Sequence, residues 1–114
     1  MSKFGLYSGN SAASIPFESH LEGLEEETKI LLLDLRNFVK SLGDNVIEEV
    51  RPHRITYAKS LTFRTFLDIQ PRKDSLTISL RKSRNDSATD HIVKTVQDIE
   101  NVKLQIAEAY KNIK

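Results

Sequence analysis

A chain of 114 residues, with 39% hydrophobic and 29% charged residues, is long enough for one packed core and too short for two independent domains. The absence of cysteine excludes disulfides and thiolate metal sites, and no apolar run approaches the roughly 20 residues of a membrane-spanning helix. We therefore expect a cytoplasmic protein without membrane insertion, with a flexible lead-in over residues 1–17 and a single domain over residues 18–114.

The first regular element is predicted to be a helix from about Leu24 to Leu42. Apolar residues recur there at helical spacing, at Leu31, Leu35, Phe38 and Leu42. The three glutamates at positions 25–27 suit the positive end of a helix dipole, and Lys40 suits the negative end. Gly43 is predicted to end the helix in the left-handed conformation.

Strand-like alternation follows the helix. Four segments have it: Val46–Val50, Arg54–Lys59, Leu61–Gln70 and Leu76–Arg81. Pro71 is expected to break the third strand, and residues 72–74 form a basic turn before the fourth. In the fourth strand Leu76, Ile78 and Leu80 are expected to point inward.

The C-terminal third contains one ambiguous segment. Residues 85–87 are predicted to form a turn, and residues 90–97 fit either a fifth strand or the start of a helix, of which the strand is preferred. Asp98 is then expected to cap a last helix. Its apolar positions are Ile99, Val102, Ile106, Ala109, Tyr110 and Ile113. This order predicts an α+β fold: a single antiparallel sheet of four to five strands with the N-terminal and C-terminal helices packed on one face.

Four stretches resemble an uncharacterised prokaryotic α+β domain family that is often labelled "predicted transport protein". They read HLEGLEEETKILLLDLRNFVKSLGDNVIEEV, ITYAKS, TFLDIQPRKDSLTISLR and IAEAY, and they lie between His20 and Tyr110. The resemblance implies the same α+β fold. It also implies a kind of domain that often follows other domains, some of them nuclease-like, in larger prokaryotic proteins. It implies no catalytic residue, and no residue of this chain supports the transport label.

Positive charge is concentrated on the predicted strands. Residues 51–84 contain nine Lys and Arg against two acidic residues, although the whole chain has a net charge of only +1. We predict a non-catalytic binding module whose basic sheet face contacts an anionic partner such as nucleic acid, with Phe66 as a stacking ring beside Arg64. The candidate residues are Arg54, Lys59, Arg64, Phe66, Arg72, Lys73, Arg81, Lys82 and Arg84. A solvated strand face with no ligand is an open alternative.

The second open alternative is a protein–protein or self-association module. In it the sheet or an edge strand is the interface, and charge sets the register. The acidic residues 25–27 of one copy are one candidate to meet the basic strands of another, which would make a homodimer.

Catalytic and metal sites are weaker hypotheses. His53 near Tyr57 is a candidate acid–base pair, but the alternation favours Tyr57 in the core. The carboxylates Glu48, Glu49 and Asp68 lack a lysine at nuclease spacing and are expected to pair with arginines. The three histidines, at positions 20, 53 and 91, fall in different elements. No catalytic residue, metal or cofactor is therefore predicted.

Overall fold

The computed structural model describes residues 15–60, 64–81 and 89–113. After a 3₁₀ turn at Phe17–His20, the regular elements in chain order are α1 (Glu26–Lys40), β1 (Val46–Val50), β2 (Ile55–Lys59), β3 (Arg64–Arg72), β4 (Ser75–Leu80), β5 (Thr89–Val93) and α2 (Val96–Asn112). The fold is α+β, as predicted. None of the helices in these ranges is long and apolar enough to cross a membrane.

The five strands form one antiparallel sheet in the order of the chain, from β1 to β5. Each strand pairs with the next, so β1 and β5 are the two edges. Residues of α1, α2 and one sheet face form a single core. We call the opposite side, which no described helix covers, the open face.

The core is built from the apolar stripes that the sequence predicts. Leu35 of α1, Ile106 of α2 and Ile78 of β4 are completely buried. Each such side chain contributes about 1.5–3 kcal/mol relative to an exposed one. Phe17 is also buried, at 4% exposure, so the core begins within the segment that was predicted to be a flexible lead-in.

Helix α1 starts as predicted, with Glu25 at the N-cap and two glutamates in the first turn, and Lys40 lies in its last turn. The role predicted for Gly43 is wrong, because the one glycine with positive φ among the described residues is Gly23. Gly43 is instead a close-approach position. A Cβ atom there would collide with the hydroxyl of Tyr110, which hydrogen-bonds Asn45.

The start of α2 also differs from the prediction. The strand preferred for the ambiguous segment is confirmed as β5, but the N-cap is Thr95 and not Asp98. Thr95 Oγ1 accepts the Asp98 N–H at 3.1 Å, and Asp98 Oδ2 accepts the backbone N–H of Lys94 at 2.9 Å and of Thr95 at 3.2 Å. This reciprocal capping box satisfies orphan donors of the first turn and lowers the pKa of Asp98, chiefly through the bond from Lys94.

The third strand ends two residues later than predicted, at Arg72 and not at Gln70. β3 continues through Pro71, which pairs with Leu76, so the proline does not break the strand. The turn that follows is Lys73-Asp74. Residues 61–63, at the predicted start of this strand, and the predicted turn at 85–87 lie outside the described residues.

Candidate anion-binding groove

A β-bulge in β3 decides which side chains reach the open face. Tyr57 pairs with Leu67 but the next residue of β2, Ala58, pairs with Thr65, so Phe66 is an extra residue in β3. An inserted residue shifts the alternation of all residues on one side of it. Leu67 therefore faces the helices, Thr65 the open face, and Arg64 the helix side.

Three predicted residues are absent from the basic face: the bulge displaces Phe66 and Arg64, and Lys59 lies on the helix side with Ile55 and Tyr57. Phe66 is fully buried, edge-on to Tyr110 with ring centroids 5.3 Å apart, so its ring offers no stacking surface. Lys59 donates to the carbonyl oxygen of Ile113 at 3.0 Å and lies 4.5 Å from the Tyr110 ring centroid. Arg64 is the cross-strand partner of Lys59 and shares its face.

Two further candidates lie at the far end of the sheet. Arg72 ends β3 and Lys73 follows it in the turn to β4. Both are exposed, and the Lys73 carbonyl accepts the backbone N–H of Glu25 at 2.9 Å, which ties this turn to the start of α1. Lys82 and Arg84 lie outside the described residues.

Arg54 and Arg81 do come together, at a groove of about 280 Å³ on the open face. A third arginine, Arg51, also lines it and was not among the predicted site residues. Arg51 and Arg54 lie in the same short β1–β2 connection, where the Arg51 N–H donates to the Arg54 carbonyl at 2.8 Å. Their closeness in sequence could have identified Arg51 as a site residue. The groove is lined by Arg51, Arg54, Thr56, Thr65, Phe66, Leu67, Asp68, Ser79, Leu80 and Arg81.

A polar row crosses the whole open face beneath these arginines. Its members are successive cross-strand partners, one from each strand: Glu49, Thr56, Asp68, Ser79 and Asp90. Carboxylates and hydroxyls alternate along the row. Thr56 donates to Asp68 at 2.8 Å and Ser79 donates to Asp90 at 2.7 Å. Among the described residues, the open face is therefore of mixed charge, with Arg51, Arg54 and Arg81 gathered at the groove.

Two of the groove arginines hold acidic partners through exposed ion pairs. Arg51 contacts Glu49 at 3.0 Å, with both side chains more than half exposed, and Arg54 contacts Asp68 at 3.3 Å. Exposed pairs of this kind contribute about 0–1 kcal/mol, because water and salt screen them. An incoming anion can therefore replace either carboxylate at little cost.

On the helix side, three residues form a partly buried polar network. Glu48 accepts two hydrogen bonds of 2.9 Å from Arg36 and one of 2.7 Å from the Tyr57 hydroxyl. Burial alone would raise the pKa of Glu48, but these hydrogen bonds outweigh it and the pKa is lowered. Burial, followed by the bond to Glu48, raises the pKa of Tyr57. The core position predicted for Tyr57 is confirmed.

The carboxylates considered for a nuclease do not converge. Glu48 faces the helices, whereas Glu49 and Asp68 lie on the open face. All three pair with arginines, as the sequence predicts. Within the described ranges, no group of three or more His, Asp or Glu side chains is placed to hold a metal ion.

Fold and groove together define a small α+β domain with a five-stranded meander, one covered sheet face and one open face. Comparisons with protein-family models, with curated proteins and with solved structures found no match. The resemblance to the family labelled "predicted transport protein" therefore stays a prediction.

Proposed function

We propose that this protein is a non-catalytic binding module whose open sheet face holds an anionic partner, with phosphate groups of a nucleic acid as the preferred ligand. The observation that supports this function is the convergence of Arg51, Arg54 and Arg81 on one groove. A guanidinium offers donors in a planar fork that matches two phosphate oxygens, so three of them around one concavity favour a phosphate over a simple monovalent anion.

The hydroxyls of the groove add neutral donors beside the arginines. Thr56, Thr65 and Ser79 all line it. Two of these hydroxyls donate to carboxylates of the polar row, so a phosphate that binds here exchanges existing internal bonds for new ones. The expected affinity is modest for that reason, and the binding energy comes mainly from the arginines.

The polar row limits how a nucleic acid lies on this face. Glu49 and Asp90 stand at the two ends of the row, so a rigid duplex laid flat across the sheet would bring phosphates against carboxylates. A flexible single strand can pass through the groove and avoid both ends. We expect single strands to bind better than duplexes.

The test is an anisotropy titration of labelled single-stranded and duplex oligonucleotides. With three phosphate contacts, the logarithm of the binding constant should fall with a slope of about −2 against the logarithm of salt concentration. Single-strand binding should therefore weaken about 20-fold between roughly 50 and 200 mM salt.

Two charge-reversal variants test whether binding depends on the groove or on positive charge anywhere on the protein. Arg81→Glu should weaken binding on the order of tenfold or more, because it replaces a donor with a repulsive charge. Lys73→Glu is the matched control, since Lys73 is exposed in the β3–β4 turn and does not line the groove, so this variant should leave the affinity nearly unchanged. Absence of binding at both salt concentrations would refute the nucleic-acid ligand, and equal losses in the two variants would refute the groove.

A further inference from the structure

The edge strand β5 exposes an apolar side chain at its open face. Ile92 is 64% exposed, although its neighbours in sequence, His91 and Val93, face the helices. Asp90 lies two residues before it in β5, and Lys94, two residues after it, is the first residue beyond the strand; both are exposed. Alternation along an extended chain places these three side chains on the same face.

The order acid, apolar, base is complementary to itself when it is read in the opposite direction. If β5 pairs antiparallel with β5 of a second copy about Ile92, the two isoleucines meet and each Asp90 lies opposite a Lys94. Pairing about Asp90 would oppose two carboxylates, and pairing about His91 would place Asp90 against Ile92. Charge therefore selects one register of the possible ones.

The opposite edge lacks this property. Antiparallel self-pairing about Glu48, the central residue of β1, would set two carboxylates side by side. The 3₁₀ turn also reaches this edge, because the His20 ring bonds the carbonyl oxygen of Arg51 at 2.6 Å. Of the two edges, β5 is the one whose side chains favour a second copy of this chain.

We propose that the protein forms a symmetric dimer through antiparallel pairing of β5 with β5 of a second copy, with Ile92 at the twofold axis. The axis is perpendicular to the sheet, so the two sheets become one ten-stranded sheet with both open faces on the same side. With strands about 4.8 Å apart, the two β3 strands at the groove centres lie about 24 Å from one another. The dimer thus presents two grooves to one extended partner.

Sedimentation equilibrium without any anionic ligand tests the dimer independently of the proposed function. We expect reversible dimerisation within a protein range of about 10 μM to 1 mM, because the interface is a single five-residue strand. Asp90→Lys and Lys94→Asp, each alone, should raise the dissociation constant about 10- to 100-fold, since each turns two attractive pairs into repulsive ones.

An equimolar mixture of the two variants gives the decisive result. In the heterodimer one copy carries lysine at both positions and the other carries aspartate at both. Every facing pair is then again a lysine with an aspartate, so association should return to the parental strength. Glu49→Lys, a charge reversal on the open face of the opposite edge, is the matched control and should dimerise like the parent. The proposal is overturned if the parent stays monomeric throughout the range, or if the mixture associates no better than each variant alone.

Discussion

Removal of a single hydroxyl group tests the partly buried network of Arg36, Glu48 and Tyr57. Tyr57→Phe keeps the ring in the core and deletes only the donor that lies 2.7 Å from the Glu48 carboxylate. A hydrogen bond to a charged group contributes about 1.5–3 kcal/mol. Because Arg36 still holds Glu48 through two bonds, we take the lower figure, about 1.5 kcal/mol, which corresponds to a melting temperature roughly 5 °C lower.

The pH dependence gives this prediction its second readout. Since the pKa of Glu48 is lower in the folded protein than its ordinary value of 4.5, folding favours the carboxylate form. The resulting stabilisation is fully present above that value and is lost as the pH falls through the folded pKa. Tyr57→Phe removes part of it, so the stability difference between variant and parent should be largest near neutral pH and shrink as the pH falls below 4.5.

Tyr110→Phe is the matched control. Its hydroxyl also makes a side-chain hydrogen bond, but the acceptor is the neutral amide oxygen of Asn45. Denaturant unfolding of both variants at several pH values should give a loss of about 1 kcal/mol for Tyr110→Phe that does not change between neutral and acidic pH. If Tyr57→Phe is as stable as the parent, or if its loss is independent of pH like that of the control, the network does not stabilise the fold through an ionised Glu48.

Two local features make further predictions about stability. Gly43→Ala should cost about 1–3 kcal/mol in denaturant unfolding because its methyl group collides with the Tyr110 hydroxyl, and adding Tyr110→Phe should recover part of that loss. A fully stable Gly43→Ala variant would contradict the close approach. Thr95→Ala should cost about 1 kcal/mol by removing the capping box of α2, whereas Thr89→Ala on the exposed start of β5 should be nearly neutral. Equal effects of these two substitutions would mean that the cap contributes nothing.

The sequence predicts the helices and strands of this fold better than it predicts their caps and their ends. Helical and strand periods identify both helices and all five strands because one face of each element is buried in one core. Capping is less predictable: Asp98 and Thr95 are both good N-cap residues, and the capping box needs both, so composition alone does not say which one precedes the helix. Pro71 has no N–H to donate, but a strand tolerates it wherever the missing donor is not needed.

The candidate site is harder to predict because it depends on a bulge. Strict alternation through β3 would put Arg64 and Phe66 on the face opposite Leu67. The extra residue reverses this order, so Phe66 enters the core and Arg64 turns to the helix side. No residue type in the segment signals the insertion, and only the register with β2 reveals it.

The described basic residues on and beside these strands have different roles in the fold. Lys59 serves the fold: it meets the Ile113 carbonyl at the C-terminal end of α2, where the helix dipole and unpaired carbonyls favour a cation. Arg51, Arg54 and Arg81 surround the groove on the other side of the sheet. Among the described basic residues, Lys59 therefore stabilises the end of a helix, whereas Arg51, Arg54 and Arg81 line the groove. A count of arginines and lysines along the strands therefore overstates the described anion-binding surface, and substitution of any of the three groove arginines should lower the affinity of the open face for phosphate.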